Sequence, residues 1–90
     1  GAWLAGINLR DVNLSGANLH YITLSNANLG NANLSNADLS YANLTDADLS
    51  GAYLQAANLF RADLINVTAD AYTTCPNGLN RGTAGHDCKF

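Results

Sequence analysis

Long apolar runs are missing from this chain. Polar residues or Gly interrupt every hydrophobic stretch, and none nears the roughly 20 consecutive apolar residues of a membrane helix. Basic charge is equally scarce: Arg10, Arg61, Arg81 and Lys89 are the only Lys and Arg, and they are scattered. That leaves no patch to follow a phosphate backbone, so direct nucleic-acid binding is excluded as a reading. Charged residues make up 12% of the sequence and the net charge is -3, too little for a strongly acidic surface. Methionine is absent and the chain opens on Gly1 and Ala2 inside a repeat, without a cationic and apolar leader; the expectation is a start left by processing or trimming. Proline occurs once, as Pro76, and cysteine twice, as Cys75 and Cys88. An even pair in a small domain reads as one disulfide and an oxidising compartment, with two reduced thiols in a cytosolic protein as the alternative. At 90 residues the chain is one small domain with room for a modest core.

What is present is a repeat. Leucine stands at every fifth position from Leu4 to Leu64. Two positions before each is a small or β-branched residue: Ala2, Ile7, Val12, Ala17, Ile22, then Ala from Ala27 to Ala62, with Val67 continuing the series. Between the two stands mostly Asn or Asp. A period of five suits neither regular structure. On an α-helix successive leucines would lie about 140° apart and circle the axis. On a flat strand alternate leucines would face water. The pattern works if Ala-x-Leu is a short extended piece with both apolar residues inward, followed by two residues that turn a corner. Bending in one sense every five residues gives a coil whose circuits stack at roughly 4.8 Å, with the leucines in one central file.

The strings Ala-Asn-Leu-Ser-Asn, Ala-Asp-Leu-Ser-Tyr, Ala-Asn-Leu-Thr-Asp and Ala-Asp-Leu-Ser-Gly resemble the A-(D/N)-L-x-x motif of the pentapeptide-repeat family, over residues 2 to about 67. The resemblance implies an all-β fold: a right-handed quadrilateral β-helix of about three coils over residues 1–68. Residues 69–90 are then expected as a disulfide-closed, irregular C-terminal cap. Family geometry stacks residues about twenty apart. Asn8, Asn28 and Asp48 then form one outer column, Asn13 and Asn33 another, and Asn18, Asp38 and Asn58 a third, with amides free to bond along each column. No Asp stacks on another Asp, which avoids like-charge repulsion.

One side of this map carries an aromatic group: Tyr21, Tyr41 and Arg61 in one column, His20, Ser40 and Phe60 beside it, and Tyr53 on the preceding side. Exposed aromatics with an Arg are enriched in contact patches, so His20, Tyr21, Tyr41, Tyr53, Phe60 and Arg61 are the candidate interaction surface. The bland account is cross-strand pairing, with Arg61 over a Tyr ring.

The ends of a solenoid need cover. After Val67 the repeat fails, since Ala69 and Thr74 stand where Leu would fall; one helical turn over 69–72 is expected there. Thr73 to Gly78 followed by Gly85 to Cys88 resembles a cysteine-bracketed tail of exported family members, which implies the periplasm, the thylakoid lumen or the exterior, the cytoplasm staying open. Trp3, Ile7, Val12 and Ile22 cluster at the other end, and the resemblance implies a homodimer through that first coil.

Chemistry finds little support. Ser40, His20 and Asp38 fall together, but a triad also needs a pocket and an oxyanion site, and a leucine-filled rod offers no concavity. Cys75, His86 and Cys88 are one ligand short of a structural zinc site, and Asp46 with Asp48 supply too few oxygens for calcium. The expectation is therefore a non-catalytic structural or protein-interaction module without cofactor or metal and with an unidentified protein partner. The alternative role implied by the family, a DNA mimic that binds gyrase, needs dense acidic columns that this sequence lacks.

Overall fold

A computed structural model describes residues 1–77 and Cys88. Each side of the coil is a three-residue extended piece that contributes one paired residue. Trp3 bridges Thr23 in parallel, Asn8 bridges Asn28, Asn13 bridges Asn33 and Asn18 bridges Asp38, and the same step carries the ladder to Asp48 with Thr68. Every pair is twenty residues apart, so a circuit consists of four five-residue sides. Within a column the bonds alternate in direction: Leu24 N–H donates to the Asn43 carbonyl at 2.7 Å, while Thr23 N–H reaches back to Ala2 at 2.9 Å.

The corners explain why five residues suffice. The N–H of each Ala-position residue donates to the Leu carbonyl three residues earlier, as in Ala27 to Leu24 at 3.1 Å. The residue two after each Leu has positive φ, from Gly6 at 73° through Asn26, Asn31 and Asn36 to Asn66 at 58°, as the third position of a type II turn requires. Gly, Asn and Asp tolerate that conformation best, and they fill most of these sites.

The Asn or Asp before each Leu completes the corner. Asn8 Oδ1 accepts from Arg10 N–H at 3.1 Å, Asn33 from Ser35 at 3.1 Å, Asn43 from Thr45 at 3.0 Å and Asp48 from Ser50 at 2.9 Å. These are Asx turns. Only an oxygen is used, which is why Asn and Asp interchange. The ladder of amides expected along the columns is thus corrected: each side-chain oxygen serves its own corner, because the nearest unpaired N–H lies two residues on.

Inside, Leu24, Leu29, Leu34, Leu39, Leu44, Leu49 and Leu54 are fully buried, and Ala27 to Ala52 fill the positions between them. Leu4, Leu9, Leu14 and Leu19 of the first circuit, and Leu59 and Leu64 further on, are partly buried; among the described residues each has a neighbouring circuit on one side only. The larger Ile7, Val12 and Val67 belong to those outer circuits. Ile22 is the exception, at 5% exposure.

Past Thr68 the leucine repeat stops but the ladder does not. Thr74 bridges Tyr53, a step of twenty-one. Leu54 N–H donates to Thr74 and Ala56 N–H to Pro76, as earlier circuits do one residue sooner. A single extra residue has entered the corner, so Thr73 takes an Ala position and Cys75 the place of a leucine, beneath Leu54. No helical turn forms over 69–72. Asp70 organises that corner instead, its Oδ1 accepting from the N–H groups of Gly51, Tyr72 and Thr73 at 3.0, 3.0 and 3.1 Å. The rest of the expected cap, with Arg81 and His86, lies outside the described residues.

Candidate interaction surface

The aromatic corner is assembled by the twenty-residue step. Tyr21 N–H donates to Ser40 and Tyr41 N–H to Phe60, at 3.0 and 2.9 Å, which sets the corner residues one above another. The Tyr21 and Tyr41 rings stack with centroids 4.8 Å apart and planes within 4°. Phe60 meets Tyr41 edge-on at 5.8 Å, and His20 meets Tyr21 likewise at 5.4 Å. Tyr21, Tyr41 and Phe60 remain 57%, 43% and 59% exposed. Arg61 sits over the Phe60 ring, 5.5 Å from its centroid, rather than over a Tyr as expected, because both belong to the same corner.

Tyr53 does not join them. Its column is Asn13, Asn33 and Thr74, and the side bearing Asn58 separates it from the aromatic corner. Tyr53 thus lies on the side preceding the one that ends in Phe60 and Arg61, where the sequence map places it.

His20, Ser40 and Asp38 do meet, in the wrong order for a relay. Ser40 Oγ donates to Asp38 Oδ1 at 2.6 Å and Ser40 N–H to the same oxygen at 3.0 Å. His20 Nδ1 faces Asn18 Oδ1 at 2.6 Å and Asp38 Oδ2 at 4.0 Å. A triad sets the hydroxyl on the imidazole and the acid behind it; here the acid holds the hydroxyl. The Ser40 hydroxyl and N–H, with a smaller contribution from His20, keep the Asp38 carboxyl below its ordinary 3.8 against slight desolvation. Desolvation pushes Asp70 up, but its bonds from Gly51, Tyr72 and Thr73 outweigh that and leave it lowered as well.

At the first circuit the four residues expected as one end face divide. Trp3 occupies an outward position over Thr23 and is 75% exposed. Ile7 is partly buried and Val12 stands at the margin of exposure. Ile22 is corrected out of the group: the first circuit shuts it in.

Asp70 and Thr73 went unnoticed in the sequence. Their signal is Thr73-Thr74-Cys75 read as Ala-x-Leu one residue late, which a strict period of five passes over. Cys75 and Cys88 are disulfide-bonded, with Cα atoms 5.2 Å apart. The bridge points to an oxidising compartment. Among the described residues no helix is long and apolar enough to cross a membrane.

A family model described as Pentapeptide repeats matches residues 1–31 and 27–66, with 8 copies. The chain is similar to the crystal structure of alr5209, a pentapeptide repeat protein from Nostoc Pcc 7120, at 41% identity over 80% of this chain and 68% of that one, with a TM-score of 0.52. It is also similar to Rfr23, a pentapeptide repeat protein from the cyanobacterium Cyanothece 51142, at 31% identity over 78% of this chain, with a TM-score of 0.53. The chain spans 61% of the length of Rfr23. No curated protein matches it. Such neighbours make the coil a right-handed β-helix, and proteins of this kind are structural and interaction modules, generally without enzymatic activity. With repeat copies matching most of its length and its circuits closing every twenty residues, the chain belongs to the pentapeptide-repeat family.

Proposed function

We propose that this protein is a non-catalytic protein-interaction module of an extracytoplasmic compartment, the periplasm, the thylakoid lumen or the exterior, and that the corner formed by His20, Tyr21, Tyr41, Phe60 and Arg61 is its contact surface. One observation carries the reading. Most corner residues with positive φ are Gly, Asn or Asp, and apart from Ala56 the exceptions fall in one column, as Tyr21, Tyr41 and Arg61 at 60°, 61° and 55°. A left-handed backbone costs an ordinary residue about 1–2 kcal/mol. The stack returns about 0.5–1.5 kcal/mol. Stability alone therefore gives no reason to prefer Tyr over Asn here, and an outlier maintained without structural gain points to use.

The Tyr21→Asn, Tyr41→Asn double variant is accordingly expected to melt within a few degrees of the parent, while losing a partner that the parent captures from its native compartment. A variant that binds as before, or one that melts far below the parent, would return the column to a purely structural role. The DNA-mimic alternative is not favoured: Asp38 lies between Asn18 and Asn58, and Asp63 pairs with Asn43, so negative charge is diluted along each column.

A second contact rests on the partly buried Leu4, Leu9, Leu14 and Leu19. Ile7 and Val12 belong to the same circuit, and we propose a homodimer formed across it. Light scattering over a wide concentration range is expected to show mass rising toward twice that of one chain; a constant monomer mass rules the dimer out.

A further inference from the structure

We propose that the Cys75–Cys88 disulfide is closed to thiol reductants in the folded protein, and that the Asp70–Thr73 corner is the latch that keeps it closed. Cys75 occupies a leucine site at 1% exposure, and Cys88 is partly buried. Thiol exchange needs a thiolate to approach in line with the S–S bond and expel the far sulfur. Packing bars approach to Cys75. Attack on Cys88 would expel Cys75 as a thiolate beneath Leu54, where an apolar site disfavours the anion and makes it a poor leaving group.

Both routes open only if Thr73-Thr74-Cys75 swings out of the coil. Besides the ladder bonds of Thr74 with Ala52 and Leu54, two side chains hold that segment. Thr73 Oγ1 donates to the Leu49 carbonyl at 2.9 Å, inside the coil. Asp70 Oδ1 accepts from Gly51 N–H across the circuits at 3.0 Å. In earlier circuits a backbone carbonyl takes that second bond, as Ser50 does for Asn31 N–H at 2.9 Å. The extra residue removes that carbonyl from register, so the Asp70 side chain takes its place. Once the corner opens, a dithiol reductant can attack Cys88 Sγ as its thiolate. The S–S bond breaks, Cys75 leaves as a thiolate and takes a proton from water. The reductant's second thiol, as thiolate, then expels Cys88 from the mixed disulfide, and Cys88 is protonated in turn. Two electrons pass from the dithiol, which becomes a cyclic disulfide, to the bridge. The bridge is on this account a lock that outlasts passing contact with reductant, not a sensor of it.

The test uses the oxidised, folded protein and dithiothreitol, with new thiols counted by alkylation and mass. The parent is expected to be reduced at least about tenfold more slowly than the same protein in denaturant. Thr73→Val and Asp70→Ala, each shown by circular dichroism to keep the parent fold, are expected to be reduced about tenfold faster than the parent, the change in opening that loss of an internal hydrogen bond brings. Thr73→Ser keeps the hydroxyl and the parent rate. Leu24→Ala, distant from the corner, lowers stability without speeding reduction. Reduction of the folded parent as fast as the denatured chain would overturn the proposal. So would latch variants no faster than the parent, or Leu24→Ala matching them, which would make global unfolding the gate.

Discussion

Leu39→Ala is expected to destabilise the protein by about 2–5 kcal/mol, the range for truncating a fully buried leucine. Leu39 is fully buried and stacks between Leu19 and Leu59, so its removal opens a cavity bounded by circuits on both sides. Neither neighbour can readily close the gap, because the ladder holds the backbone beside each: Leu19 N–H donates to Asp38 at 2.8 Å, and Asn58 N–H, next to Leu59, donates to Ala37 at 2.9 Å. In a solenoid each circuit is stabilised mainly by those next to it. Loss at the centre therefore weakens two interfaces, whereas Leu9→Ala, in a partly buried outer circuit, weakens one and costs less. Urea unfolding followed by circular dichroism measures both. Equal costs for Leu9→Ala and Leu39→Ala would contradict the stacked-file account of stability.

The second large effect is at the disulfide. The double variant Cys75→Ala, Cys88→Ser is expected to lose about 3 kcal/mol, the chain-entropy value for a loop of this size, the cysteines being 13 residues apart. Ala is chosen at position 75 because a Ser hydroxyl in the leucine file would add the cost of an unpaired buried polar group. For the same reason the parent heated with a reductant should melt below the parent heated without it, since heating opens the corner that shields the bridge. Coincident unfolding curves for the variant and the parent would show that the bridge contributes nothing to the folded state.

The corner residues show how far composition carries and where it stops. Gly6, Asn26 and Asn66 announce positive φ by their type, so their turns follow from sequence. Tyr21 and Tyr41 occupy the same backbone state and give no such signal; their place is visible only through the period that surrounds them. The aromatic corner was legible because a fixed step of twenty, once supplied by family geometry, stacks Tyr41 on Tyr21 and Arg61 after it. Which ring Arg61 covers is not legible in the same way, because side-chain direction at a corner is not a matter of register. The partner role of Asn and Asp was misread for a related reason: a column suggests contacts along itself, while the nearest donor was in the same turn.

By itself the sequence determined that the chain coils with its leucines inside, since a strict period of five has no other way to keep every Leu out of water. It equally determined that the cysteines lie beyond the last leucine repeat. Only the tertiary structure decided that pairing continues past that point, because one inserted residue moves every later position off the period while leaving the backbone free to pair one step later. With that shift Cys75 falls into the leucine file and Asp70 replaces a displaced carbonyl, and hydrogen bonding between circuits, to which a linear pattern is blind, is the physical reason.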